Sequence, residues 1–146
     1  MVLNLMIDSN VILDMFLERV PFFSMSVQAI SLSKTYENEV NHFISAASVT
    51  DIYYLTQKNL KNPSTVRELF KILFDFVKVI DVTAEDIHKA FALNWKDFED
   101  SVQYAVAKSN NFDGIVTRNM KGFTDDAVKI FTPEEICRYV EENLKE

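Results

Sequence analysis

The stretch LNLMIDSNVILD, residues 3–14, sets the organisation of this chain. It begins with a short, mostly apolar run, and a run of that length is more typical of a buried strand than of a helix. Asp8 ends the run, and Ser9 and Asn10 lead into a second apolar run that we interpret as a helix reaching about Leu17. A carboxylate therefore stands where a strand ends and a helix begins, which is where open α/β sheets bind ligands.

The rest of the chain alternates between strand-like and helix-like segments. Further strands are predicted near residues 40–47, 77–82, 112–117 and 128–131. Apolar residues at helical spacing predict helices near 21–36, 48–59 and 66–77, and from 83, 97 and 132 onward. This alternation is typical of a parallel sheet with helices on both faces. We therefore predict an α/β fold, with three α/β/α layers, a mostly parallel central sheet of four to five strands, and one domain over residues 1–146.

Composition limits the classes of function. One cysteine, Cys137, excludes an intramolecular disulfide and a cysteine-cluster metal site. Gly114 and Gly122 are the only glycines, too few for a Gly-rich nucleotide-binding loop. The net charge of −7 argues against general nucleic-acid binding, although metal ions could still hold a nucleic acid at one local site. The short apolar runs and the early Asp8 indicate a cytoplasmic protein with no membrane span and no signal peptide.

Several polar residues are candidates for chemistry, and each has a structural alternative. The candidates are Asp8, Asp51, Asp97, Asp100 and Asn119. Asp8 taken alone is better explained as a helix cap. Asp51 and Asp100 each follow a potential cap by three residues, as in a capping box; for Asp51 that cap would be Ser48. The same spacing occurs in Thr83–Asp86 and Thr132–Glu135, to which we assign no chemistry and which serve as internal controls.

Position relative to the predicted strands favours a shared site. Asp51 follows the second strand by a few residues, and Asn119 follows the fourth. Because the carboxyl ends of parallel strands meet at one edge of a sheet, both should lie on the same edge as Asp8. Asp100 begins the helix that leads into the fourth strand, so strand position alone does not bring it to this edge.

Four segments of the chain match a known family in order and spacing. They are IDSNVILD at 7–14, SAASVTDIYYL at 45–55, DFEDSVQYA at 97–105 and IVTRN at 115–119. With these segments the chain resembles the PIN-domain family of metal-dependent ribonucleases, which includes the VapC-like toxins of bacterial toxin–antitoxin pairs. The resemblance implies a PIN-like fold and carries the family's acidic roles onto Asp8, Asp51 and Asp100, with a further polar position at Asn119. The sequence departs from the family at residues 51 and 119, where Glu and Asp are frequent, and at Gly122, where many members have Asp.

A cluster of carboxylates requires a counter-charge. Three unit negative charges at mutual distances of 4 Å repel by roughly 12 kcal/mol at an effective dielectric near 20, which rivals the stability of a whole domain. Ligands that are all oxygen favour Mg²⁺ or Mn²⁺, and such an ion activates water for phosphodiester hydrolysis. The resemblance thus predicts Asp8, Asp51 and Asp100 as catalytic metal ligands of a ribonuclease, with Asn119 as a neutral ligand.

Residues around these positions are assigned supporting roles. We expect Asn10 and Thr117 to hydrogen-bond the ligand carboxylates or a bound water. Asp97 either orients water or only caps its helix. Arg118 and Lys121 are predicted to contact RNA phosphates, with a solvated surface position as the alternative for Arg118. A toxin role further implies an antitoxin partner, and members of the family often form homodimers.

Two other functions stay open at this point. A PIN fold that has lost turnover would hold RNA or a protein. The departures from the family at Asn119 and Gly122 leave this alternative open. An aspartyl-phosphate phosphotransferase would use Asp8 as its nucleophile. That class usually has a second aspartate where this chain has Asn10, and a lysine directly after the fourth strand, which this chain lacks.

Overall fold

The computed structural model describes residues 1–144 and is built around a parallel sheet. The strands are β1 (Leu3–Ile7), β2 (Val40–Ser45), β3 (Val77–Ile80), β4 (Gly114–Val116) and β5 (Lys129–Phe131). They form one five-stranded sheet in the order β3-β2-β1-β4-β5, and every pairing is parallel. The predicted α/β fold with a parallel sheet of four to five strands is confirmed. The single domain over residues 1–146 stays a prediction, and residues 145 and 146 lie outside the described range.

Helices cover both faces of this sheet. They are α1 (Ser9–Phe16), α2 (Phe23–Thr35), α3 (Ala46–Leu60), α4 (Pro63–Leu73), α5 (Ala84–Leu93), α6 (Phe98–Ser109) and α7 (Pro133–Asn143), with a 3-10 turn at Met120–Gly122. One face packs against α1 to α4 and α7, and the other against α5 and α6. In the described part of the chain no helix is both long enough and apolar enough to cross a membrane.

Strand β1 is central and buried on both sides. Leu5 and Ile7 belong to the core beneath α1 and α3, while Met6 belongs to the core beneath α6. Since neither face of β1 meets solvent, its sequence is almost continuously apolar. This is the physical reason why residues 3–7 could be identified as a strand from sequence.

The beginning of α3 differs from the sequence prediction. Its N-cap is Ser45, whose hydroxyl accepts a hydrogen bond from the backbone N–H of Ser48 at 3.1 Å. Asp51 therefore lies beyond the first turn of α3, and the predicted Ser48–Asp51 capping box is wrong. Ser45 ends β2 with an extended backbone and already has the conformation of a cap, so the helix begins two residues before Ser48.

The two internal control segments have the predicted caps. Reciprocal hydrogen bonds join Thr83 to Asp86 and Thr132 to Glu135.

Helix α2 begins at Phe23, two residues after the predicted start at Pro21. Pro21 lies in a turn in which the N–H of Phe23 donates to the carbonyl of Arg19 at 2.7 Å.

Candidate active site

The carboxyl edge of the sheet opens into a cleft of about 350 Å³. Along the chain, β2 and β3 are added on one side of β1 and β4 and β5 on the other, so strand order reverses beside β1. Ligands bind at such reversal points in open α/β sheets. The polar side chains that line the cleft include Asp8, Asp51, Asp97, Glu99, Asp100 and Asn119. The structure therefore brings the candidate acids from three distant segments of the chain to one cleft.

Asp8 is the most enclosed of these acids, with 5% of its surface exposed. Its Oδ1 accepts hydrogen bonds from the Ser9 backbone N–H at 2.8 Å and from Nε2 of Gln103 at 3.0 Å. Its Oδ2 accepts from the Thr117 hydroxyl at 2.7 Å and from Nδ2 of Asn10 at 3.1 Å. All four donors are neutral, so they orient the carboxylate without cancelling its charge.

Burial and mutual repulsion raise the pKa values of several acids in the cleft. Burial raises the pKa of Asp8, and the negative charge of Asp97 raises it further. Hydrogen bonds from Thr117, Ser9 and Gln103 oppose this shift. Burial, followed by the negative charges of Asp8, Asp97 and Glu99, raises the pKa of Asp100 to about 7. Raised pKa values of this kind, produced by desolvation together with like charges in a cleft, are typical of functional sites.

Glu99 belongs to the same electrostatic cluster. Burial raises its pKa first, then the charge of Asp8, while the Ser9 hydroxyl opposes the shift by donating to Glu99 Oε2 at 3.2 Å. Asp51 and Asp97 contribute smaller upward shifts. Since α3 contributes Asp51 and α6 contributes Glu99, the charge coupling spans the width of the cleft.

The segment after β4 contributes Asn119 to the wall of the cleft that contains Asp8. The Asn119 backbone N–H donates to the Thr117 hydroxyl at 3.2 Å, and its side-chain oxygen accepts from the Lys121 N–H at 3.3 Å. Asn119 is exposed and begins the 3-10 turn. On the other side, Asp97 is the N-cap of α6 and accepts from the Asp100 N–H at 3.2 Å. Capping therefore explains the position of Asp97, as the sequence alternative held.

Arg118 has a structural partner that the sequence does not reveal. Its guanidinium donates to both carboxylate oxygens of Asp14, at 2.7 and 3.2 Å, and Asp14 is fully buried. The guanidinium also lies 4.2 Å from the ring centroid of Phe22. Arg19 approaches Asp14 at 3.5 Å. Asp14 thus engages two of the five N–H donors of Arg118. Lys121, by contrast, is exposed and makes no ion pair with any of the residues described.

Two residues that contact the acids carry little signal in the sequence. Gln103 is fully buried on α6, and its only signal is that it is a polar residue in a run of buried residues. Gly122 lies directly against Asp100, and a Cβ at this position would collide with Asp100 Oδ2. The missing side chain at Gly122 therefore provides the space that the Asp100 carboxylate occupies.

The donor chemistry of the cleft suits a hard divalent cation. Carboxylate and amide oxygens are the ligands that Mg²⁺ and Mn²⁺ prefer. Burial first, and then the neighbouring negative charges, raise the carboxyl pKa values here, and a bound cation would offset both effects. Within residues 1–144, however, no three His, Cys, Asp or Glu side chains are grouped closely enough to hold a metal ion. The site fits a metal by donor type and charge, but its side chains do not form a preassembled ligand set. A metal held by Asp8, Asp51, Asp100 and Asn119 stays a prediction.

Similarity to known proteins identifies the family. Residues 4–121 match the model of the PIN domain. The chain is also 32% identical to Ribonuclease VapC1 of Aquifex aeolicus (strain VF5), over 90% of this chain and 91% of that protein. The chain belongs to the PIN domain family, which confirms the resemblance drawn from its four matching segments.

Solved structures show the same fold. VapBC2 from Rickettsia felis, bound to a promoter DNA fragment, matches with a TM-score of 0.71 at 14% identity, over 89% of this chain and 98% of that one. A toxin–antitoxin complex from Klebsiella pneumoniae matches with a TM-score of 0.65 at 19% identity, over 88% and 96%. VapC20 from Mycobacterium tuberculosis, a sarcin-ricin loop cleaving toxin, matches with a TM-score of 0.59 at 13% identity, over 84% and 91%.

Proposed function

We propose that this chain is a metal-dependent endoribonuclease that hydrolyses RNA phosphodiester bonds and acts in the cytoplasm as the toxin of a toxin–antitoxin pair. The observation that carries the proposal is the group of acids at the carboxyl edge of the sheet. Asp8, Glu99 and Asp100 all have raised pKa values there, and the hydrogen-bond donors around Asp8 are neutral. A divalent cation is the ligand that this charge arrangement suits best, and a bound cation would in turn attract the anionic phosphodiester.

Mg²⁺ or Mn²⁺ is the proposed cofactor. Asp8, Asp51 and Asp100 would hold it, with Asn119 as a neutral ligand. When bound, an ion of this kind acts as a Lewis acid and lowers the pKa of a coordinated water. Asn119 adds a donor oxygen without adding a fourth negative charge, so the total charge of the ligand set would be −3 rather than the −4 of a set with an aspartate at this position.

The surrounding residues orient the acids and the substrate. Thr117, Asn10 and Gln103 fix the plane of the Asp8 carboxylate through their hydrogen bonds. Without a bound ion, burial and the neighbouring acids raise the pKa of Asp100 to about 7, and a bound cation would favour its ionised form. Lys121 would contact an RNA phosphate with its free ammonium group, and Arg118 with the donors that Asp14 leaves available.

The similar proteins support the biological role. The relative from Aquifex aeolicus is named a ribonuclease, and the Mycobacterium tuberculosis protein is described as cleaving the sarcin-ricin loop. The Klebsiella pneumoniae and Rickettsia felis structures are toxin–antitoxin complexes. By analogy we assign this chain an RNA substrate and an antitoxin partner, whereas a homodimer rests on the family resemblance alone.

The proposal is tested by incubating RNA with the protein in Mg²⁺ or Mn²⁺, with and without a chelator. We expect cleavage that the chelator abolishes and that Asp8→Asn reduces by more than about 100-fold, since loss of residues that only support a metal site already lowers activity by about 10- to 100-fold. The matched control is Glu135→Gln, which changes an acid at the cap of α7 and should leave cleavage unchanged. Chelator-insensitive cleavage, or full activity of Asp8→Asn, would contradict the proposal.

A second candidate is a PIN domain that binds RNA or protein without turnover. The observation in its favour is that, among the described residues, the potential ligands are not grouped into a metal site. RNA binding that persists without any cleavage in Mg²⁺ and Mn²⁺ would favour this second candidate.

A further inference from the structure

A larger groove adjoins the acidic cleft. It has a volume of about 800 Å³, within the range of ligand-binding pockets, and shares Asp97, Asp100 and Asn119 with the cleft. The rest of its wall comes from residues 94–98, between α5 and α6, and from residues 121–124 after β4. A molecule that reaches the acids can therefore continue into this groove without leaving the surface.

The groove carries free positive charge in an acidic protein. Lys96 and Lys121 both line it, and both are exposed. Neither forms an ion pair with any side chain in the part of the chain that the structure describes. In a chain of net charge −7, two unpaired lysines beside a cluster of acids attract an anion to the flank of the cleft.

Aromatic rings lie beside these lysines. Phe98 is 42% exposed, and its ring centroid lies 4.6 Å from that of Phe91, which is 66% exposed. Trp95 lines the same groove and is held in place by ring contacts with Tyr104 at 5.0 Å and Phe123 at 5.9 Å. Phe91 and Phe98 are in contact, and contiguous exposed apolar surface of this kind can mark a site for a ligand or a partner.

We infer that this groove binds the single-stranded RNA segment next to the scissile phosphate. We call it the Trp95 groove, defined by Trp95, Lys96, Phe98 and Lys121. The inference rests on the proposed ribonuclease function and adds a substrate-binding site to it. Lysines that meet phosphates beside rings that stack on bases are the combination by which proteins hold single strands. A duplex keeps its bases stacked on one another and leaves the rings without a partner, so the groove selects unpaired RNA.

Trp95 provides a direct signal for occupancy, because it is the only tryptophan in the chain. The experiment titrates the full-length protein with a single-stranded RNA oligonucleotide in a chelating buffer of low ionic strength, so that cleavage does not occur. We expect the oligonucleotide to change the fluorescence of Trp95 in a saturable way. The same sequence annealed into a duplex should bind more weakly and change the fluorescence less.

Two variants locate the binding. Phe98→Ala should weaken RNA binding by about fivefold or more, which is the effect expected from loss of one base–ring stack. Lys96→Ala should reduce the slope of log affinity against log salt concentration by about 0.7, the value for one phosphate contact on a single strand. The matched controls are Phe74→Ala and Lys34→Ala, which change an exposed phenylalanine and an exposed lysine in a cleft at the amino ends of β2 and β3. Both controls should bind RNA like the unmodified protein.

The outcomes separate this inference from the function on which it rests. If Phe98→Ala and Lys96→Ala both bind and cleave RNA like the unmodified protein, the inference is wrong while the ribonuclease function stands. If RNA occupies the groove but is never cleaved in Mg²⁺ or Mn²⁺, the inference holds and the proposed function fails. If Trp95 fluorescence changes with protein concentration but not with added RNA, a second copy of the chain covers the groove and the inference is wrong.

Discussion

Helix α1 has a buried aspartate at each end, and the two carboxylates have opposite surroundings. Asp14 is fully buried and faces the guanidinium groups of Arg118 and Arg19. Asp8 is almost as buried, yet its hydrogen-bond donors are neutral and its charged neighbours are acids. An isolated buried charge is unfavourable by several kcal/mol, roughly, unless a partner compensates it. The comparison indicates that Asp14 stabilises the fold, whereas Asp8 is held ready for a positive ligand.

Asp86 provides a third case, because it is a buried acid at a helix cap with no proposed chemistry. Burial alone would raise its pKa, but hydrogen bonds from Thr83 and Ser109, together with Lys89, lower the pKa overall. Asp8, Glu99 and Asp100 show the opposite net shift of the pKa. Asp8 and Asp86 both accept a backbone hydrogen bond at the start of a helix, yet their pKa values shift in opposite directions. The surroundings of each carboxylate, rather than its position at the cap, therefore set the direction of the shift.

The largest effect on stability should come from Arg118→Met. This change leaves the buried Asp14 with only the longer contact to Arg19, and we expect the free energy of unfolding to fall by about 2–3 kcal/mol. Urea denaturation measures it. Arg138→Met is the control, because its pair with Glu134 is exposed and should contribute less than about 1 kcal/mol. If both variants lose the same free energy of unfolding, the buried Asp14–Arg118 pair contributes no more to stability than the exposed Glu134–Arg138 pair.

Gln103→Leu tests whether neutral donors position Asp8. The variant keeps the size of the side chain but removes the Nε2 donor to Asp8 Oδ1, so we expect RNA cleavage to fall by about 10- to 100-fold. The control is Gln57→Leu, which changes a partly buried glutamine on a different helix, α3. Unchanged cleavage in Gln103→Leu would mean that this hydrogen bond serves the fold alone.

Gly122→Ala tests the space around Asp100. The added Cβ would displace the Asp100 carboxylate, and a small displacement of a catalytic group should reduce cleavage by about tenfold. Met120→Ala, in the same turn, should cleave RNA normally. If Gly122→Ala retains full activity and melts at the same temperature, Asp100 does not need the position observed here.

Asp100→Asn should show a pH-dependent gain in stability when divalent ions are absent. The pKa of Asp100 is about 7 in the folded protein, against the usual 3.8 of an aspartate. The folded state therefore holds the proton more tightly, and the contribution of Asp100 to stability is lost as pH rises from about 4 to about 7. The full shift would correspond to about 4 kcal/mol, but partial exposure should reduce the gain for Asp100→Asn near pH 8 to about 1 kcal/mol.

Near pH 4 the same substitution should change stability much less, because the acid is protonated in the folded protein and still partly protonated in the unfolded chain. Asp86→Asn is the control of opposite sign: its pKa is lowered by folding, so this variant should lose stability near pH 8. Chemical denaturation at the two pH values measures both variants. A loss of stability in Asp100→Asn near pH 8 would show that the ionised carboxylate stabilises the first turn of α6 and is not destabilised by the other acids of the cleft.

The sequence predicts the parts of the molecule that depend on local pattern. The apolar run before Asp8 and the helical stripes give the strand–helix alternation, and four matched segments give the family. The start of α3 could not be chosen from sequence, because Ser45 and Ser48 are both good caps and only the end of β2 decides between them. The pairing of Asp14 with Arg118 joins residues 104 positions apart, and no local pattern encodes it.

In the candidate site, too, some residues could be placed from sequence and others could not. Residues that follow strands, such as Asp8 and Thr117, could be placed because parallel strands share an edge. The contact between Gln103 and Asp8 spans 95 positions, and that between Gly122 and Asp100 depends on the path of a turn. These contacts are set by three-dimensional packing, so they could not be derived from residue type and spacing.

The metal site is tested most directly by calorimetric titration of Mn²⁺ into the metal-free protein near neutral pH. We expect saturable binding by the unmodified chain, loss of that binding in Asp8→Asn, and unchanged binding in Glu135→Gln. If the unmodified chain binds no Mn²⁺, or Asp8→Asn binds it equally well, the uncompensated acids of the cleft are not a metal site, and the central claim is contradicted.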